Sequence, residues 1–459
     1  MTGLIGKEKF YELADDIIKK SDDAGCEIVF LRYANGLTRL ANSTIHQNVY
    51  TDDTSVNIRV SRGDNIGVST TNILTPEGLF DCLVNALEIM KTSSPLPGFP
   101  GPAPIAEYRT TDTFVESTAG WGPDDRAKIA REAIARGMED NLTLAGAIET
   151  SIGEIAIANS NGVRAYQPLS AFNCNFVAMV GEIDDPPSGY ASLTGRDVKN
   201  ADFRATYDRA CRKAVLAKNP IEIEPDKYDV VLESRAIGEL IEWFNYISFN
   251  YMMFHDGRSP LSGKIGEKIT GEHLTLIDDA YGGMMNGLPF DFEGIPRQSL
   301  PLIEKGVAKS IVYSMFAAKK EGMEPTGHGF GPGSMPSSAV PVNIRMTPGD
   351  FTLDELVGKL DRGIQVTRFH YINGYLDTRQ AVMTGMTRDG AWLVENGIPK
   401  AAIKNLRFTD SMLEAWKRID GIEKTPHLIP AWWSAVGSYE IPAVLIRDFT
   451  FTGKTSKGS

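Results

Sequence analysis

Histidine, cysteine, glutamate and serine are the residues of this sequence that could do chemistry, and their spacing limits what that chemistry can be. The six histidines, His46, His255, His273, His328, His370 and His427, never stand at the short intervals with which one helix or hairpin holds a metal. The four cysteines, Cys26, Cys82, Cys174 and Cys211, lie far apart with no C-x-x-C pair, which fits buried reduced thiols rather than a disulfide framework or a cysteine zinc site. A metal site would need ligands brought together from across the fold. Glu242 could serve as a lone general base, but it has no metal or histidine partner, and core packing is the leading reading of its helix. Ser262-x-Lys264 could pair a serine nucleophile with a lysine base. The glycine-rich run 327–333 could cradle a phosphate, yet Pro332 removes one of the amides such a cradle needs. A mobile loop at a cleft or interface is the better expectation, its glycines permitting positive φ angles.

The elements that must position these residues are legible in the periodicity. Phe10, Leu13, Ile17 and Ile18 repeat at helical spacing and predict an amphipathic helix over 8–23. Strands are expected at 27–33, 37–41, 55–60 and 65–69, with turn signals at Asn35-Gly36 and at 62–64. Thr75 is a candidate N-cap with Pro76 at the first helical position, and Leu79, Leu83, Ala86 and Met90 carry that helix to about residue 91. Five prolines at 95, 97, 100, 102 and 104 make 94–105 a stiff, extended connector. A second helix–sheet–helix unit is expected beyond it, with a helix starting near Pro123, strands at 143–159, 163–168 and 172–180, and a helix at 201–218. A strand at 229–232 then leads to a helix whose stripe is Ile237, Leu240, Ile241, Phe244, Ile247, Ser248 and Tyr251. Short strands and Gly/Pro turns dominate the remainder.

Charge excludes some partners. The chain of 459 residues has a net charge of −12, which opposes binding to phosphate backbones, and no dense basic patch offsets it. The first ten residues already carry Lys7, Glu8 and Lys9, and no apolar stretch approaches bilayer length, so neither a signal peptide nor a membrane span is expected and the cytoplasm is the expected location.

Several stretches, taken in order, resemble the TldD/TldE (PmbA) family. They are 38–48 (TRLANSTIHQN) with Val60, Gly63 and Gly67 after it, 262–268 (SGKIGEK), 291–296 (DFEGIP), 302–306 (LIEKG), 325–329 (PTGHG) and the closing strand 442–452. The resemblance implies an α+β fold. An N-terminal helix and antiparallel-sheet region in two segments, 1–94 and 106–225, is joined by the Pro-rich connector 95–105 and followed by a β-rich, barrel-like C-terminal domain, 226–459. It also implies a TldD-like catalytic subunit that holds zinc through H-E-x-x-x-H on a helix and a late cysteine, and that cleaves unfolded or leader peptides. Here the matching helix reads LIEWFNYI over 240–247, with Glu242 and Ile247 near the histidine positions and Trp243 near that of the glutamate. No histidine occurs between His46 and His255, and Cys211 is the last cysteine. These departures match the TldE-like branch. The expectation is a non-catalytic subunit with no cofactor of its own, zinc being held by a TldD-like partner in a heterodimer that binds peptide. A homodimeric peptide-binding or chaperone-like protein is the alternative, and a self-sufficient hydrolase using Glu242, His255 or Ser262 is a third. The positions nearest the implied substrate cleft are Glu242, Asn245, Tyr246, His255, Ser262, Lys264, Thr326 and His328.

Overall fold

One order of elements occurs twice in the N-terminal half of the computed structural model, which describes residues 3–181, 186–431 and 437–454. The first unit is α1 (Lys7–Lys20), β1 (Gly25–Ala41), β2 (Thr44–Arg62), β3 (Asn65–Thr71) and α2 (Pro76–Thr92). After a single turn, α3 (Glu116–Ala119), the second is α4 (Pro123–Glu139), β4 (Leu142–Asn159), β5 (Arg164–Val180), β6 (Ser188–Gly195) and α5 (Phe203–Leu216). The two units share one antiparallel sheet of order β3-β2-β1-β4-β5-β6, joined by the β1–β4 pairing from Glu27↔Asn159 to Leu40↔Gly146.

Alternation along the strands assigns the two faces. Cys26, Ile28 and Phe30 of β1 pack under α1 and α2, and Phe172, Cys174 and Phe176 of β5 pack under α4 and α5. Glycine brings helix and strand close at equivalent places in both units. A Cβ on Gly67 of β3 would fall 2.0 Å from Ala86 O in α2, and one on Gly189 of β6 would fall 2.3 Å from Ala210 O in α5. Thr75 caps α2 as expected, its Oγ1 accepting from Gly78 N at 3.1 Å.

The turn expected at Asn35-Gly36 is absent, because β1 runs straight through it in register with Thr51 and Tyr50. The hairpin instead closes at Asn42 and Ser43, whose φ angles of 48° and 54° form the turn. Gly36 has a packing reason. A Cβ there would lie 2.7 Å from the guanidinium of Arg126, which is 2% exposed and donates to Thr38 Oγ1 and Thr150 Oγ1.

The opposite face of the sheet carries Val29, Ile155 and Ile157, which join Leu288, Phe290 and Ile295 of the C-terminal half in one core. The Pro-rich connector lies on this face. Ala103 is fully buried there, and Asn159 Nδ2 and Asn161 Nδ2 donate to Ala103 O and Pro102 O, each at 2.8 Å.

The C-terminal half begins with β7 (Lys227–Leu232), α6 (Ser234–Ser248) and α7 (Tyr251–His255). It continues through β8 (Leu276–Asp278), β9 (Leu300–Glu304), β10 (Val307–Ala308), α8 (Met315–Glu321), β11 (Ile344–Met346) and α9 (Leu353–Gly358). Next come β12 (Arg362–Asp377), β13 (Val382–Glu395), β14 (Ile398–Ala402), β15 (Leu406–Ser411), α10 (Met412–Lys417) and β16 (Ile419–Ile422). The last strands are β17 (His427–Pro430), β18 (Ser438–Ile441) and β19 (Val444–Lys454). Strands β12-β7-β19-β15-β13 close on themselves through the β12–β13 pairing and make the expected barrel. Phe369, Phe408 and Phe449 fill it, with ring centroids 4.6 to 6.2 Å apart. A second sheet, β10-β9-β8-β11-β18-β17, lies beside it. Among the described residues no helix is long and apolar enough to cross a membrane.

Candidate functional site

Helix α6 buries the stripe that its periodicity predicts. Ile237, Leu240, Ile241, Phe244 and Ile247 are fully buried in the barrel core, and Phe244 meets Trp416 edge-on at 4.6 Å. Asn245 is equally enclosed, its Nδ2 donating to Pro341 O at 3.0 Å and to Tyr439 Oη at 3.1 Å. Glu242 is 5% exposed. Tyr246 reaches the surface, where it forms an aromatic group with Trp243 and Tyr375, centroids 5.6 to 6.5 Å apart.

The other sequence candidates lie elsewhere. His255 at the end of α7 places Nδ1 3.1 Å from Glu321 Oε1, which also accepts from Tyr251 Oη at 2.9 Å. Ser262 Oγ donates to Phe254 O at 2.9 Å, in a turn where half-buried Lys264 donates its backbone N–H to Leu261 O. Thr326 and His328 belong to a buried polar network. His328 is 2% exposed, with Nε2 3.0 Å from Asp278 Oδ1 and Nδ1 3.0 Å from Thr326 Oγ1. Burial, with the Arg297 charge, pulls the His328 pKa down, and its two ring nitrogens each face an acceptor, Nε2 the Asp278 carboxylate and Nδ1 the Thr326 carbonyl oxygen at 2.9 Å. Burial pushes the Asp278 carboxyl up, but its ion pair with Arg297, its bond from His328 and the backbone N–H groups of Val342 and Asn343 outweigh that and hold it well below the usual carboxylate range. This network ties β8, the 289–297 loop and the 326–343 segment together.

A cleft of about 420 Å³ opens between the sheet and the C-terminal loops, and none of the eight sequence candidates lines it. Its floor is the exposed end of the sheet's second face, with Leu31 and Tyr33 of β1, Ile155 of β4 and Leu169 of β5. Its roof is Phe292, Phe330 and the 332–334 turn. The two motifs 291–296 and 325–329 build that roof together. Asp291 Oδ2 accepts from Gly329 N at 2.7 Å, its Oδ1 accepts from Glu293 N and Ile295 N at 2.9 Å, and Phe292 N donates to Gly329 O at 3.0 Å. A Cβ on Gly331, where φ is +62°, would lie 2.0 Å from Phe292 O. These contacts pin a loop that the sequence suggests is mobile, and Phe292 and Phe330 stack over one another at 6.1 Å.

Behind the roof lies a buried acidic group shared by the two halves. Arg59 of β2 pairs with Glu27 of β1 at 2.6 and 2.7 Å and comes within 4.0 Å of Glu293. Glu293 Oε2 accepts from Met315 N at 2.8 Å. Burial, then the neighbouring Asp291 charge, pushes the Glu293 carboxyl up to about 8. Asp291 is pushed up by burial to about 6, against three backbone donors that favour its charge. Asp291 accepts three backbone N–H bonds that favour its charge and Glu293 only one, so the proton that this buried pair retains is favoured on Glu293.

The buried thiols offer no nucleophile. All four cysteines are free and buried, and burial pushes Cys26 and Cys174 up to about 12. Zinc does not fit α6 either. The helix carries no histidine or cysteine, and among the described residues no group of three or more His, Cys, Asp or Glu side chains is placed to hold a metal.

Comparison with known proteins decides the family. Domain 1 of the PmbA/TldA metallopeptidases matches 26–89, their central domain matches 116–218, and their C-terminal domain matches 225–453. The chain belongs to the PmbA/TldD metallopeptidase family. A Methanothermobacter thermautotrophicus protein named metalloprotease is 26% identical over 235 residues, 51% of this chain and 50% of that protein, so the match spans about half of each. A metalloprotease TldD homolog of Buchnera aphidicola is 26% identical over 404 residues, 83% of this chain and 81% of that protein. TldE of Thermococcus kodakarensis has the same fold, with a TM-score of 0.87 at 20% identity over 96% of this chain and 100% of that one.

What the sequence reading missed is this interdomain cleft. Its signal is present in the strands. Ile28-Val29-Phe30-Leu31 and Ile155-Ala156-Ile157-Ala158 are continuous apolar runs, which mark a sheet covered on both faces rather than one open to solvent.

Proposed function

We propose that this chain is a non-catalytic, TldE-like subunit of a zinc metallopeptidase assembly, pairing with a TldD-like subunit that supplies the metal and the hydrolytic step. The observation that carries the reading is the state of α6. A zinc helix needs two imidazoles and a carboxylate facing a water-filled space. Here the corresponding side chains include fully buried Ile247 and 5%-exposed Glu242, and the helix is committed to the barrel core. What remains for this chain is to stabilise its partner's folded state by binding it and to hold an unfolded or leader peptide. The interdomain cleft, apolar and about 420 Å³ in volume, supports the second role.

The test is reconstitution. The chain, a TldD-like partner with H-E-x-x-x-H from the same source, and the mixture are assayed on an unfolded peptide with and without chelator. Chelator-sensitive cleavage that requires both chains is the expected result. Cleavage by this chain alone, or partner activity indifferent to its presence, would overturn the reading.

A further inference from the structure

The charge lining the cleft is one-sided. In a chain of net charge −12, its charged lining residues are two arginines, Arg32 and Arg196. Arg32 is neutralised. Its Nε and Nη2 donate to Asp52 at 2.9 and 2.8 Å, and its Nη1 donates to Glu154 at 2.9 Å. Arg196, just beyond β6, is not. Its Nη1 donates to Ser170 O at 2.6 Å and its Nη2 to Asn286 O at 2.7 Å, both uncharged carbonyls, and its buried Nε has no partner. No carboxylate among the described residues comes within ion-pair distance, and Asp112 acts on it only through its field. Burial lowers the Arg196 pKa to about 10, which still leaves a full positive charge at neutral pH.

Elsewhere buried guanidinium groups meet carboxylates, Arg59 with Glu27 and Arg297 with Asp278. Arg126 has none, but Gly36, Thr38 and Thr150 enclose it and it does not line the cleft. A desolvated cation without a counter-charge is costly, and an arriving carboxylate would remove that cost. Around it stand apolar walls, Leu169, Phe292 and Phe330, and hydroxyl and amide groups, Ser151, Ser334 and Asn57, suited to main-chain amides.

We propose that this cleft binds short apolar peptides by a carboxylate seated on Arg196. The α-carboxylate of a peptide C-terminus is the intended occupant, and a glutamate side chain carries the same chemistry. The proposal rests on the peptide-holding role above, but it concerns this chain without its partner.

The experiment is calorimetric titration of the full chain with the tripeptide Leu-Ala-Phe as free acid and as C-terminal amide, and with Leu-Glu-Phe amide. The free acid is expected to bind about ten- to a hundredfold more tightly than Leu-Ala-Phe amide, as a charge-assisted contact requires. Arg196→Gln should reduce the acid to the level of the amide and leave the amide unchanged, while Arg196→Lys should restore part of the difference. Tight binding of Leu-Glu-Phe amide would assign the site to side-chain carboxylates. Equal binding of acid and amide, or no binding of any of the three, overturns the proposal. The acid-against-amide comparison on the unaltered chain decides it even if an Arg196 variant fails to fold. Because the partner is absent, a negative result leaves the assembly reading standing, and a failed reconstitution leaves this one standing.

Discussion

Replacing Glu293 by glutamine should flatten the dependence of this protein's stability on pH. Glu293 is 3% exposed and sits between Asp291 and the Glu27–Arg59 pair, where burial and the Asp291 charge raise its pKa to about 8. An unfolded chain would hold the same carboxyl near its ordinary value of about 4.3. Between those values the native state binds a proton that the unfolded state has released, so stability falls as pH rises. A fully linked proton contributes about 1.4 kcal/mol per pH unit, and the interval from pH 5.5 to 7.5 then accounts for about 3 kcal/mol. Below pH 4 both states are protonated and the contribution is flat. Glutamine keeps an oxygen for Met315 N but cannot titrate. The assay is urea denaturation followed by tryptophan fluorescence at pH 5.5, 6.5 and 7.5 on both proteins. The wild type should lose stability relative to Glu293→Gln with each step. Parallel curves would show that the Glu293 carboxyl is already ionised in the native state, and the account of the buried pair would be wrong.

Other substitutions probe the frame. Gly67→Ala or Gly189→Ala should each cost roughly 1–3 kcal/mol in denaturation, since a new Cβ meets helix backbone at 2.0 or 2.3 Å, whereas Gly358→Ala, with nothing within 4 Å, serves as the near-neutral control. Asp278→Asn should destabilise by about 3–5 kcal/mol at pH 7 by leaving Arg297 buried without its charge partner. Because the Asp278 pKa is depressed, that gap is complete above the ordinary carboxylate value of about 4 and should shrink as the pH falls below it; a gap constant down to pH 2 would contradict the assignment.

Local signals carried well from sequence to structure where short-range physics decides. The Thr75-Pro76 start, the α1 period and the α6 stripe depend on neighbours three or four positions away, and each stands as read. Asn35-Gly36 misleads because a turn signal also suits a strand over which Arg126 must pass. The β1–β4 pairing joins residues more than a hundred positions apart, and nothing in either strand's composition names the other. The apolar runs of β1 and β4 signal a covered second face, but what covers it was illegible for the same reason, the cleft being made where a loop from one half crosses a sheet face of the other. Arg196 illustrates the limit. As a residue beside a strand end it looks like ordinary surface charge, and only the carbonyls of Ser170 and Asn286 reveal a guanidinium without a counter-ion.

In the proposed assembly the metal belongs to the partner chain. The most direct measurement is zinc content, by mass spectrometry of the metal, on this protein purified alone and on its complex with a TldD-like partner. The expected result is no stoichiometric zinc in the isolated chain and about one zinc per pair in the complex, lost when the partner's H-E-x-x-x-H histidines are replaced. Stoichiometric zinc in the isolated chain would contradict it.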